Sequence, residues 1–124
     1  MTRNCRSKKP VNSKQKGARF ERLLASKFRE YGYDARRTAQ YCGNTGDASD
    51  VVGLEGIHIE AKHVEKLNIH EAMAQAKRDA EASKTGAFPA VFHKKNHTEI
   101  LVTVQLDTFM KLYKEWWENN AEVE

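Results

Sequence analysis

The sequence predicts a single α/β domain in which helices flank one sheet, with the element order αβββαββα. Three segments carry apolar residues at the three-and-four spacing of amphipathic helices, and the segments between them hold short apolar runs of strand length. The chain has 124 residues, which is enough for one core of sheet and helices and leaves no room for a second domain.

The first half of the chain contains one helix and three strands in this interpretation. Helix one is expected to begin near Lys16 and to end at Gly32. Its inward stripe comprises Phe20, Leu23, Leu24, Phe28 and Tyr31. Strands are expected at residues 33–38, 50–53 and 57–62, and the run at 43–47, which is rich in small polar residues, is expected to be a loop.

The second half should add two helices and two strands. Asn68 with Glu71 three residues later is a capping-box pattern that starts a helix whose inward face carries small residues. That face comprises Ile69, Ala72, Met73, Ala76 and Ala80. Strands are expected at 88–94 and 100–104. The last helix should pack on the core through Leu106, Phe109, Met110, Tyr113 and Trp117.

The net charge of +4 is unevenly distributed. Residues 1–15 hold basic side chains without one acidic residue and lack an apolar period, so we expect them to form a flexible basic arm. Residues 16–118 are expected to form the folded domain, and residues 119–124 an acidic tail. Such an arm suits a polyphosphate partner, because each neutralised phosphate releases counterions. The alternative is an ordinary solvated tail.

Cys5 and Cys42 are the only cysteines, and they match no zinc-binding spacing. No apolar stretch is long enough for a signal peptide or a membrane span. We therefore expect a cytoplasmic protein with reduced thiols, whether its cell is bacterial, archaeal or a phage-infected host.

The register of the hairpin at residues 50–62 follows from how it sorts side chains between the two faces. A two-residue loop would place Asp50 opposite Ala61, which mixes acidic and apolar residues. A three-residue loop that ends in Gly56 places Val51 opposite Ile59 and Asp50 opposite Glu60. The second register separates the faces and is the one we predict.

In that register two carboxylates face each other, and Lys62 projects to the same side as Glu60. Facing like charges destabilise a sheet, and a divalent cation between them reverses that effect. Mg²⁺ fits Asp50, Glu60 and the backbone carbonyl of Ala61. Lys62 could hold an attacking water or stabilise charge on a phosphorane. The alternative is an exposed hairpin with a Glu60–Lys62 ion pair of little energetic value.

Glu21 lies near the inward face of helix one, beside Leu24 and Phe28, and has no basic residue three or four positions away. A partly buried charge without a partner is costly. A metal-bound water or a lysine from across the fold would satisfy it, and the alternative is a boundary glutamate that reaches solvent.

Together these residues resemble the PD-(D/E)xK nuclease superfamily and, within it, the archaeal-type Holliday-junction resolvases. The resemblance spans residues 17–104 and rests on G-A-R-F-E-R in helix one, S-D-V-V before the turn and I-E-A-K on the next strand. Ser49 stands where the motif name has proline, a variable position. Asp47 competes with Asp50 for the aspartate position, and the valines that follow Asp50 favour Asp50.

The resemblance implies a restriction-endonuclease-like mixed central sheet flanked by helices, Mg²⁺- or Mn²⁺-dependent cleavage of DNA, and commonly a homodimer. It implies that Asp50 and Glu60 bind metal, that Lys62 assists the nucleophilic water, and that Glu21 completes the metal environment. Gln75 resembles a polar residue often found behind such sites. Phosphate contacts are expected from Lys16, Arg19, Arg22, Arg36 and Arg37.

The function expected from these residues is cleavage of branched DNA, with a Holliday-junction resolvase as the first hypothesis. Another nuclease of the same fold, of restriction or repair type, and a non-catalytic DNA-binding module are the alternatives. Leu112 and Trp116 lie beside the core stripe of the last helix and are the predicted dimer surface. The alternative is that both pack under the N-terminal segment or another helix of the same chain.

Overall fold

The computed structural model describes residues 13–38 and 49–123 of the chain. Some of the predictions concern parts of the chain outside the described residues, and these stay predictions. Those parts are residues 1–12 of the predicted basic arm, both cysteines, the loop at 43–47 and the competing Asp47.

The described chain folds in the predicted order αβββαββα. Its helices are α1 (Ser13–Glu30), α2 (Ile69–Ser83) and α3 (Leu106–Val123). Its strands are β1 (Arg36–Arg37), β2 (Val51–Val52), β3 (Ile57–His63), β4 (Phe88–Lys94) and β5 (Leu101–Thr103). The predicted strand at 88–94 and the predicted start of α2 are confirmed, with the Asn68 side chain accepting from the Glu71 N–H at 3.1 Å.

The five strands form one sheet in the order β1-β2-β3-β4-β5. Strands β3 and β4 pair in parallel, and the other three neighbouring pairs are antiparallel. The parallel pair requires a crossover, which α2 supplies. The mixed sheet implied by the resemblance is therefore confirmed.

Helices cover both faces of the sheet. Phe20 and Leu24 of α1 are almost fully buried against Ile59 and Phe92, whereas Val91 packs against the alanine face of α2. Because Val91 and Phe92 are consecutive on β4, they point to opposite faces. Burial of each large α1 side chain contributes roughly 2 kcal/mol, and this packing fixes β3 between the two helices.

Several predicted boundaries differ from the observed ones. Helix α1 begins at Ser13, so residues 13–15 belong to the helix rather than to the arm. Helix α3 continues to Val123, so most of the predicted acidic tail is helical. The strand expected at 33–38 forms only as β1, and Tyr31, expected on the inward stripe, is 79 % exposed.

The predicted core stripe of α3 is wrong. Its members are between 43 % and 72 % exposed: Leu106, Phe109, Met110, Tyr113 and Trp117. Leu112 and Trp116, on the adjoining side of α3, are exposed as well. Helical spacing shows that a helix face is apolar, but it does not show which surface covers that face. Among the described residues, the apolar side chains of α3 are left exposed.

Each described helix falls short of the length or the apolar character that a membrane-crossing segment needs.

Candidate active site

The hairpin of β2 and β3 has the predicted register, with Val51 opposite Ile59. Ile57 N–H donates to the Leu54 carbonyl at 3.3 Å and closes the three-residue loop. Gly56 has a φ of 91°, which glycine adopts without the steric cost that a side chain would add. The turn chemistry therefore sets which side chains reach the site.

Asp50 is held at the end of β2 by backbone groups of β3. Its Oδ2 accepts from the Ala61 N–H at 2.9 Å, and its own N–H donates to the Ile59 carbonyl at 2.9 Å. Ser49, the residue in place of the motif proline, accepts from the Ile59 N–H through Oγ at 2.6 Å. These bonds fix the Asp50 carboxylate beside the strand that carries Glu60 and Lys62.

Glu60 is 5 % exposed, and its Oε2 lies 3.5 Å from the Lys62 Nζ. We expected Asp50, Glu60 and Lys62 to lie on a solvent-exposed face, and for Glu60 this is wrong. Helix α2 packs over that part of the sheet through its buried alanines. Lys62 is nearer the edge of the helix, and its side chain remains 32 % exposed.

The environment of Glu60 favours the protonated carboxyl group. Burial, followed by the negative charge of Asp50, raises the pKa of Glu60 from 4.5 to about 7, against the opposing effect of Lys62. Near neutral pH the protonated and ionised forms are therefore both populated. A cation beside the carboxylate would favour the ionised form.

Glu21 is 9 % exposed and has a basic partner from across the fold, which was one of the open alternatives, although the partner is an arginine rather than a lysine. Arg37 Nε donates to Glu21 Oε1 at 2.7 Å. Burial still raises the pKa of Glu21, and the nearby charge of Asp50 adds to that rise. The charge of Asp50 acts on both Glu21 and Glu60, so the structure places Asp50 between these two carboxylates, with Lys62 beside Glu60.

The carboxylates of Asp50 and Glu60 suit a hard divalent cation. Carboxylate oxygens are the ligands that Mg²⁺ and Mn²⁺ prefer, and positive charge beside them would offset the effect by which Asp50 raises the pKa of Glu60. The residues present therefore fit the metal implied by the resemblance. The individual ligand roles of Asp50, Glu60 and the Ala61 carbonyl stay predictions.

Lys62 borders a cleft of about 490 Å³ whose other wall is the exposed side of α2. Gln75 lines the same cleft, together with Glu71 and Arg78. The structure thus places Gln75 on the same side of the sheet as Lys62. Its supporting role stays a prediction.

The predicted phosphate-binding residues fall into two groups. Arg19, Arg22 and Arg36 are exposed. Arg37 is engaged with Glu21, and Lys16 Nζ lies 4.0 Å from Glu65 Oε2. The ion pair with Glu21 gives Arg37 a structural role that the sequence interpretation did not include.

Two further polar residues at the site were missed. Ligand atoms of His58, Glu60 and Asp79 all lie within 4.8 Å of one another. A signal for Asp79 was present, because it lies three residues after Ala76 and hence on the inward face of α2. His58 shares the Glu60 face of β3 by strand alternation.

Comparison with known proteins agrees with this geometry. The model of a family described as "Phage putative PDDEXK endonuclease" matches residues 12–123. Among solved structures, Hjc from Archaeoglobus fulgidus, a Holliday junction resolvase from an archaeal hyperthermophile, is 25% identical with a TM-score of 0.52, and the match covers 72% of each chain. No curated protein gives a significant match. The predicted resemblance to PD-(D/E)xK nucleases is confirmed, and the chain belongs to this phage PDDEXK endonuclease family.

Proposed function

We propose that the protein is a metal-dependent DNA endonuclease that hydrolyses phosphodiester bonds in branched DNA, as a Holliday-junction resolvase. The observation that carries the proposal is the position of Asp50, whose charge acts on both Glu21 and Glu60, with the ammonium group of Lys62 3.5 Å from Glu60. Membership of an endonuclease family supports the class of reaction.

Asp50 and Glu60 would hold the metal, Mg²⁺ with Mn²⁺ as a substitute, together with the Ala61 carbonyl. A divalent ion in such a site polarises a phosphate oxygen and lowers the pKa of a bound water. The Ala61 N–H fixes the Asp50 carboxylate in advance, so little reorganisation is needed on binding.

The remaining residues bind and orient the reacting groups. Lys62 is partly exposed and faces the cleft beside α2, where its ammonium group can hold a water and stabilise negative charge on the phosphate. Glu21, held by Arg37, extends the acidic cluster toward α1. Gln75 lines the same cleft and would support the same water or phosphate by hydrogen bonding.

A DNA substrate is supported by the basic side chains on the α1 and β1 side of the fold. Arg19 and Arg22, three apart on α1, are both exposed, as is Arg36 of β1. Residues 1–12 add further positive charge. A preference for branched DNA is supported by the likeness to the archaeal resolvase.

We also propose that the protein acts as a homodimer through α3. Leu112 and Trp116, the predicted dimer surface, are 46% and 58% exposed on this helix, which suits burial against a partner. An antiparallel pair of α3 helices centred on Tyr113 would place Lys111 of one copy near Glu115 of the other. A two-fold dimer also presents two active sites, which the paired incisions at a four-way junction require.

A cleavage assay tests the proposed activity. A four-way junction and a linear duplex of matched sequence are each incubated with the protein, with Mg²⁺, with Mn²⁺ or with EDTA. The proposal expects metal-dependent cuts in the junction and little cutting of the duplex. Equal cutting of both substrates would indicate a general nuclease of the same family. A protein that binds DNA but does not cleave it, and that releases or absorbs no heat when Mg²⁺ or Mn²⁺ is added in titration calorimetry, would be a non-catalytic DNA-binding module.

A further inference from the structure

Glu60 has polar neighbours in addition to Asp50 and Lys62. The imidazole of His58 and the carboxylate of Asp79 each offer a ligand atom, and these atoms and a Glu60 oxygen all lie within 4.8 Å of one another. His58 is 3 % exposed, Glu60 is 5 % exposed, and Asp79 is partly buried. Such burial distinguishes this group from the acidic clusters that are common on protein surfaces.

The fold holds the three side chains on rigid elements. His58 and Glu60 are two residues apart in the middle of the sheet, so they project to the same face. Asp79 lies between Ala76 and Ala80, which are buried and let α2 lie close to the strands. A site built on a central strand and a packed helix keeps its geometry better than one built on loops.

The electrostatics of this group favour a cation. Asp50 and Asp79 both act on Glu60 as negative charges, and Lys62 acts as the positive one. The described residues around Glu60 therefore place three carboxylates against a single ammonium group, with the His58 imidazole adjoining them. A divalent ion would compensate the surplus of negative charge.

We propose that His58, Glu60 and Asp79 form a second divalent-metal site, selective for a transition-metal ion and joined to the proposed catalytic site through Glu60. The ligand chemistry separates the two sites. One imidazole nitrogen with two carboxylates suits Zn²⁺, Co²⁺ or Mn²⁺, whereas the Asp50 side offers oxygen ligands that suit Mg²⁺. The proposal concerns metal binding alone and stands independently of DNA cleavage.

A path from solvent to this site is present. His58 lines a cleft of about 760 Å³ that opens at the turn of the β2–β3 hairpin, beside Ser83 and Thr85 at the end of α2. An ion that enters here would reach His58 at the end of β3 remote from Lys62. This cleft is separate from the one that Lys62 and Gln75 line.

Co²⁺ is the probe for the test, because its visible absorption reports the ligands and geometry. The untagged full-length protein is titrated with Co²⁺, and competition with Zn²⁺ gives the relative affinity. The variants are His58→Gln and Asp79→Asn, each of which removes one proposed ligand. The control is His70→Gln, which removes an exposed histidine of α2.

The proposal expects a saturable Co²⁺ spectrum in the wild type and a loss of affinity of about tenfold or more in His58→Gln and Asp79→Asn. His70→Gln should keep the spectrum. Wild-type protein that binds no Co²⁺, or binding unaffected by His58→Gln, would overturn the proposal. Should His58→Gln fail to fold, the ring signals of His58 in the nuclear magnetic resonance spectrum of the wild type decide: they must shift on Zn²⁺ addition, and unchanged signals contradict the site.

Discussion

Arg37 of β1 donates through Nε to Oε1 of Glu21 on α1 over 2.7 Å, so this hydrogen bond joins a helix to an edge strand. The side chain of Glu21 is 12% exposed and that of Arg37 is 33% exposed. The arginine therefore stabilises a carboxylate that burial alone would leave protonated more often.

Replacing Arg37 with alanine should destabilise the protein, because Glu21 would keep its burial and lose its charged hydrogen bond. We expect a loss of about 1–3 kcal/mol in the free energy of unfolding at neutral pH, measured by urea denaturation. The loss should shrink at acidic pH, where Glu21 is protonated and needs no cation.

Arg36→Ala is the matched control, since Arg36 is the exposed neighbour on the same strand. It should change stability by less than about 0.5 kcal/mol. The double variant Glu21→Gln/Arg37→Ala should be more stable than the sum of the single changes. Strict additivity would show that the 2.7 Å contact contributes nothing.

The catalytic assignment predicts that Asp50→Asn, Glu60→Gln and Lys62→Ala each lower cleavage by at least about a hundredfold while the fold survives. Circular dichroism and thermal melting check the fold, and single-turnover cleavage of a junction measures the rate. Lys66→Ala, an exposed lysine after β3, is the control and should cut normally. Near wild-type cleavage by Glu60→Gln would remove Glu60 from the site.

Glu60 should also make the metal-free protein less stable as pH rises. Its folded-state pKa of about 7 lies above 4.5, so the folded state binds this proton more tightly than the unfolded state does. The stabilising contribution is complete below about pH 4.5 and is lost as pH rises through about 7. Glu60→Gln should therefore gain stability over the wild type on going from about pH 5 to about pH 8, by on the order of 1–3 kcal/mol.

Glu55→Gln, an exposed change in the turn of the same hairpin, should show no such trend. Urea denaturation in EDTA at the two pH values gives the comparison. Added Mg²⁺ should then stabilise the wild type more than Glu60→Gln. A wild type and Glu60→Gln with parallel pH profiles would mean that burial does not perturb this carboxyl group.

Sequence patterns predicted the features that depend on neighbours along the chain. The Val51–Ile59 register followed from alternation and loop length, and the start of α2 followed from the Asn68 capping box. The partner of Glu21 could not be predicted, because Arg37 is sixteen residues away and its placement depends on β1. The burial of Glu60 was missed for the same reason, since alternation defines a face but not what covers it.

Gly53 shows a further contact that the sequence did not reveal. A Cβ on Gly53 would lie 2.4 Å from the Ala35 Cα and 2.6 Å from the Asp34 carbonyl oxygen, and the residue has a φ of 120°. Both neighbours are backbone atoms next to β1 and cannot move aside cheaply. Gly53→Ala should destabilise the protein by more than about 2 kcal/mol.

Gly56→Ala separates the close contact at Gly53 from backbone strain. Gly56 also has a positive φ, of 91°, but a Cβ there would meet no heavy atom within 4 Å among the described residues. It should cost only about 1–2 kcal/mol in urea denaturation. Equal losses for the two variants would show that the approach of Gly53 to Ala35 is not a constraint.

The last prediction concerns the exposed apolar surface of α3. Leu112 and Trp116 are four residues apart and 46% and 58% exposed, so they form adjacent ridges on one side of the helix. If a second copy covers them, Leu112→Ser/Trp116→Ser should raise the dissociation constant of the dimer by at least about tenfold over the wild type, measured by sedimentation.

Lys114→Ser/Glu118→Ser is the matched control, because it removes an exposed ion pair of 2.7 Å from the same helix and should leave the dimer nearly intact. A monomeric wild type at micromolar concentration would contradict the dimer itself. A dimer unchanged by the Leu112 and Trp116 substitutions would place the interface on another surface, and loss of the dimer after deletion of residues 1–12 would instead indicate that the N-terminal segment takes part in it.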